Sequence, residues 1–135
     1  MASSTKDSLL KRILLAEDDP AVSYILTRYL EAAGFAVRAA ADGRAALAMF
    51  EAEPADLVVS DFRMPGMNGE ELLLALRARH PDLPALIVSA YGNELSVRIP
   101  GVRVLNKPVA ADELVGLVKD LLLDAETLAL NRPGA

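Results

Sequence analysis

Five short, mostly apolar runs alternating with helix-period segments restrict this 135-residue chain more than any other feature. The runs are 13–16, 36–40, 57–60, 85–88 and 102–105. Each is too short for a packed helix and is flanked by turn or cap residues, so each is expected to be a strand. Between them, Glu17-Asp18-Asp19-Pro20 marks a helix start, with Asp19 as the N-cap and Pro20 at the first helical position, where a missing N–H costs nothing. Val22, Ile25, Leu26, Tyr29, Leu30 and Ala33 follow at helical spacing, and Gly34 closes the helix. Asp42-Gly43 opens a second helix over 44–53, which Pro54 ends. A third is expected over 70–79 after a loop rich in Pro, Gly and Asn. A last helix runs from Ala111 past Leu123, with Asp112 and Glu113 near its positive end. Strands alternating with helices in this way require an α/β fold, a parallel sheet covered on both faces.

Composition supports one such domain. Apolar residues at 53% against 24% charged are enough for a core, and with 4% aromatics that core must be built from Leu, Val and Ala. The net charge is −5 and no Lys/Arg run exceeds two residues, which disfavours direct nucleic-acid binding through phosphate neutralisation. The absence of cysteine excludes disulfides, thiolate metal sites and thiol nucleophiles. Lys11 and Arg12 precede only four apolar residues, too few for a signal core or a membrane span, so a soluble cytoplasmic domain is expected. Residues 1–10 read as a flexible leader, 11–124 as the folded domain, and 125–135 as a helix extension and tail.

In open parallel sheets, ligands bind beyond the carboxyl ends of the strands. Those ends carry Glu17 and Asp18, then Asp61, Ser89 and Lys107, so residues spread over 90 positions are expected to meet at one edge. Three neighbouring carboxylates are stable together only if a cation screens them or one is protonated. All-oxygen donors without Cys or His suit Mg²⁺, which binds one or two carboxylates plus phosphate oxygens. Lys107 and Ser89 are fitting donors to a phosphoryl group, so the chemistry indicated is phosphoryl transfer onto a carboxylate.

The strings Ile13-Leu-Leu-Ala-Glu-Asp-Asp-Pro20, Asp61-Phe-Arg-Met-Pro-Gly-Met-Asn-Gly69, Val88-Ser-Ala90 and Lys107-Pro108 together carry a resemblance. The chain resembles the receiver domains of two-component response regulators over about 11–124, and is similar to the single-domain chemotaxis regulators. The resemblance implies a flavodoxin-like three-layer sandwich, a five-stranded parallel sheet in the order 2-1-3-4-5. It implies that Asp61 accepts a phosphoryl group from a histidine kinase or histidine phosphotransfer protein. It implies Mg²⁺ (or Mn²⁺) held by Glu17, Asp18, Asp61 and the backbone carbonyl of Arg63. Ser89 and the Ala90 N–H would contact the phosphoryl oxygens, Lys107 would pair with them, and Lys107–Pro108 would be cis. Glu17 stands where the family often has Asp, and its extra methylene favours contact through a metal-bound water, which makes Asp18 the stronger ligand. Arg63 and Tyr91 occupy positions that border the attacking water's path in the family and are candidates for tuning phosphoryl lifetime.

Two departures bear on output. The family's inward-swinging aromatic position is Val104 here, and the stretch from Ser89 to Lys107 is short, so the fourth helix is expected to be stunted, irregular or mobile. Signalling is therefore expected to work by ordering this stretch, with protein contacts or a homodimer formed through the fourth-helix, fifth-strand and final-helix face. Seven of the ten residues 114–123 are large and apolar. Either the shortened fourth helix admits more of them to the core, or Val115 and Leu122 form a partner face. His80 is expected to be a solvated helix-end residue, and Met64 and Met67 to pack locally. A haloacid-dehalogenase-type metal-dependent phosphatase would need a second Asp where Arg63 stands, and a flavin module would need glycines where Glu17-Asp18-Asp19 lies. A phosphorylation-independent pseudo-receiver is the remaining alternative, opposed by the intact acidic, hydroxyl and lysine set.

Overall fold

The computed structural model describes residues 9–131. Residues 1–8 of the expected leader and 132–135 of the expected tail lie outside them. The elements are β1 (Arg12–Ala16), α1 (Pro20–Ala32), β2 (Ala36–Ala40), α2 (Gly43–Ala52), β3 (Leu57–Asp61), α3 (Gly69–Arg77), β4 (Ala85–Ser89), β5 (Val102–Asn106) and α4 (Ala111–Leu130). The five strands form one parallel sheet in the order β2-β1-β3-β4-β5. The five expected strands and the four helices marked by period and caps are present, with bounds shifted by at most a residue or two, but the stunted helix expected between Ser89 and Lys107 does not form.

Alternation along the strands sorts side chains into two apolar layers. Ile13, Leu15, Leu57, Val59, Leu86, Val88 and Leu105 face α1 and α4, where they meet Leu26, Leu30, Leu114 and Val118. Leu14, Ala16, Val58 and Ala85 face α2 and α3, meeting Ala46, Phe50, Leu72 and Leu76. Leu122 of α4 is also buried in the first layer, and Val115 is half-buried, so the apolar excess of α4 goes mostly into the core. Ile99, in the stretch before β5, and Val102, on β5, pack in the opposite layer. His80 is half-buried with its ring edge-on to Phe50, 4.8 Å between centroids, rather than solvated, and Met64 packs in the second layer.

Between β4 and β5 the chain forms no helix, and side chains from α3 and the β3–α3 loop hold it instead. Glu70 accepts hydrogen bonds from the Ser96 and Val97 amides and from the Ser96 hydroxyl at 2.7 Å. Arg77 donates to the carbonyls of Leu83 and Pro100, both at 2.6 Å. The stretch lacks a helix yet is anchored at several points. No helix among the described residues is long and apolar enough to cross a membrane.

Candidate functional site

Strand register places the polar residues at one level of the sheet edge. Ala16 pairs with Ser60, so Glu17 follows β1 beside Asp61. Asp61 pairs with Val88, and Ser89 with Asn106, so Ser89 and Lys107 each lie one step further along. The Lys107 amide donates to the Ser89 carbonyl at 2.8 Å, the Phe62 amide to the Val88 carbonyl at 2.8 Å, and Lys107–Pro108 is cis as expected.

Two helix starts frame this edge. Asp19 caps α1, accepting from the Ala21 and Val22 amides. The loop after Asp61 is closed by the Gly69 amide donating to the Phe62 carbonyl at 2.8 Å. It ends in a capping box between Asn68 and Glu71. Gly69 passes so close to β3 that a Cβ would lie 2.6 Å from the Asp61 carbonyl oxygen. A glycine is required there by the close backbone approach.

Glu17 and Asp61 are buried, at 3% and 7% exposure, while Asp18 opens to solvent. The three carboxylates each have an oxygen within 4.8 Å of the others. Lys107 Nζ lies 3.2 Å from Asp61 Oδ1 and 3.8 Å from Glu17 Oε1. Burial pushes the Asp61 carboxyl above its ordinary range, opposed by Lys107. Burial also raises Glu17, opposed by the Asp19 amide that donates to Glu17 Oε2 at 3.0 Å. Glu17 Oε1 is buried with no hydrogen-bond partner among the described residues. A buried carboxylate oxygen without a donor, beside two more carboxylates of which one is open to solvent, fits a hard divalent cation.

Ser89 is buried, but its hydroxyl donates to Glu94 Oε2 at 2.5 Å and accepts from the Tyr91 amide at 3.1 Å. Arg63 grips the other oxygen of Glu94, with Nε at 2.9 Å and Nη2 at 2.8 Å. The Ser89 hydroxyl above all, then Arg63, holds the Glu94 carboxyl below its ordinary range. The Arg63 guanidinium lies 4.9 Å over the Tyr91 ring, so these two exposed side chains, both candidates from the sequence for tuning phosphoryl lifetime, touch. Ala90 follows Ser89 at the exposed start of the anchored stretch, and Val104 is half-buried on β5. Sequence reasoning missed Glu94 and Glu70. Their partners lie up to 31 residues away and neither belongs to a motif; the signal was limited to an acid in each of two segments that approach only in the fold.

The sequence matches the response regulator receiver domain family over residues 13–119. The chain belongs to that family. It is 38% identical over 116 residues to the response regulator MprA of Mycolicibacterium vanbaalenii, covering 82% of this chain and 50% of that protein. It is 33% identical to the DNA-binding transcriptional regulator NtrC of Salmonella typhimurium, covering 79% of this chain and 24% of the relative. This receiver domain thus spans half or less of the length of these relatives. The CheY-like receiver domain protein of Methanospirillum hungatei superposes with a TM-score of 0.81 at 30% identity, over 87% of this chain and 98% of that one. The receiver is a signalling domain of two-component systems, with the sheet order and three-layer architecture expected from its sequence.

Proposed function

We propose that this receiver accepts a phosphoryl group on Asp61 from a histidine kinase or histidine phosphotransfer protein. The observation that carries the reading is Asp61 itself, buried at the end of β3 with Lys107 at 3.2 Å and the carboxylates of Glu17 and Asp18 beside it. A carboxylate oxygen of Asp61 attacks phosphorus, the bond from phosphorus to the donor's histidine nitrogen breaks, and an acyl phosphate results. Lys107 pairs with the charge that moves onto the phosphoryl oxygens. Asp18, Asp61, the Arg63 carbonyl and, through water, Glu17 would hold Mg²⁺ or Mn²⁺. Bound there, the cation neutralises the carboxylates and the phosphoryl oxygens.

The Ala90 N–H and the Ser89 hydroxyl would contact the phosphoryl oxygens, and Arg63 with Tyr91 would border the approach of hydrolytic water. The domain acts as a cytoplasmic phosphoacceptor and not as an enzyme on other substrates. It signals by protein contacts, or as a homodimer, through the β4–β5 stretch, β5 around Val104, and α4. The lack of any Lys/Arg run beyond two residues speaks against nucleic-acid contact by this domain itself. The test is incubation with acetyl phosphate and Mg²⁺, with intact mass read for the wild type and Asp61→Asn. One phosphoryl group on the wild type and none on the variant is expected. An unlabelled wild type would turn the reading to a phosphorylation-independent pseudo-receiver, and equal labelling of both would remove Asp61 as the acceptor.

A further inference from the structure

The hydroxyl of Ser89 has one proton to donate, and Glu94 already takes it. The Glu94 carboxylate is thus an anion bound by a hydroxyl and a guanidinium, the donor types that bind a phosphoryl group. It is well enclosed, with only 12% of its side chain exposed. Two residues further on, Ser96 and Val97 are held independently by Glu70. The stretch after β4 therefore has two separate anchors, one at the candidate phosphoryl site and one on α3.

We propose that Glu94 is an internal competitor of the phosphoryl group, a carboxylate that holds Ser89 and Arg63 in the resting state and is displaced from Ser89 when Asp61 is modified. The inference rests on Asp61 being the phosphoacceptor. A phosphoryl group of about −2 charge both accepts the hydrogen bond of the Ser89 hydroxyl and repels a neighbouring carboxylate. Displacement frees the first anchor while Glu70 keeps the second, so the change is confined to 90–95. Arg63 and Tyr91, exposed and in mutual contact, move with it and carry the change to the surface. Release of an anchored stretch thus takes the place of the ordering expected from sequence, because the stretch starts out anchored. Glu94 is a positioning residue: it acts through Ser89 and Arg63 and touches no reacting atom.

The test is titration of the full chain with beryllofluoride and Mg²⁺, followed by amide spectra and exchange, for the wild type, Glu94→Ala, Glu94→Gln and Asp61→Asn. Loss of the competing charged hydrogen bond is expected to tighten beryllofluoride binding by about tenfold in Glu94→Ala, with Glu94→Gln between it and the wild type. Damage to the fold would weaken binding instead, so the direction of the change separates the two causes. On binding, the Tyr91 amide, which donates to Ser89 Oγ, and the Leu95 amide, which donates to Asn93 Oδ1 beside Glu94, should exchange faster in the wild type while Ser96 and Val97 hold. In Glu94→Ala the first pair should be fast from the outset. Asp61-dependent binding with equal affinity in the wild type and Glu94→Ala overturns this inference alone. No binding by the wild type overturns the phosphoacceptor reading and this inference with it.

Discussion

Glu17 is the residue at which burial and charge conflict most openly. Its carboxylate is buried, one oxygen has no donor among the described residues, and Asp61 adds repulsion that Lys107 at 3.8 Å only partly offsets. Glu17 and Asp61 are both raised above ordinary values of 4.5 and 3.8, so the folded state holds their protons more tightly than the unfolded chain does. The metal-free domain should therefore lose stability as pH rises from about 4 through the raised values. Thermal melts in chelator across that range check the sign. Glu17→Gln removes the unbalanced charge at constant shape and is expected to stabilise the metal-free domain at neutral pH by about 1 kcal/mol, or roughly 3–5 °C in Tm. A lower Tm for the variant in chelator would show that the charge is already compensated. Asp18 was legible as a candidate metal ligand closing the first apolar run, whereas the orphaned oxygen of Glu17 was not. An unpartnered atom becomes visible only when the surrounding donors have positions.

At the scale of elements, the β3–α3 connection and α4 make separate predictions. Gly69 begins α3 against the backbone of β3, where a Cβ would sit 2.6 Å from the Asp61 carbonyl oxygen. Gly69→Ala must push helix and strand apart, with a cost of about 1–3 kcal/mol in denaturant melts and slower labelling of Asp61 by acetyl phosphate. Wild-type labelling by a destabilised variant would separate packing from the site. The end of α4 behaves in the opposite way. From 124 to 130 only Ala125 is half-buried, and the Lys11–Glu126 pair at 3.2 Å is exposed at both partners. Such a pair is worth about 0–1 kcal/mol, so a chain ending at Asp124 should melt within a few degrees of the full chain. A loss of cooperative unfolding would place the domain boundary further along. The strands and helices were legible because apolar period and cap residues are local signals, as Asp19, Asp42 and Gly34 illustrate. The loss of the fourth helix was legible in length alone. Its replacement by Glu70, Arg77 and Glu94 was not, because each of these side chains acts across a gap in sequence.

For the whole molecule, the acidic balance acquires a location. Glu17, Asp18, Asp61 and Lys107 together carry −2 of the chain's −5, gathered at one edge of the sheet. A divalent cation bound there should stabilise the native state by mass action, about 1.4 kcal/mol at ten times its Kd. Melts with and without Mg²⁺ are expected to differ by a few degrees in the wild type and much less in Asp18→Asn. An equal rise in both would move the cation elsewhere.

The order of apolar runs and the polar residues closing four of them were enough to determine the α/β class and the meeting of Glu17, Asp18, Asp61, Ser89 and Lys107. In a parallel sheet every strand points the same way, so residues that end strands must share an edge. The tertiary structure alone decided how the Ser89 hydroxyl is engaged, which layer absorbs Leu122, and what holds the stretch without a helix. Each of those depends on side chains from different elements arriving within a few ångströms, and no local period or spacing encodes that distance.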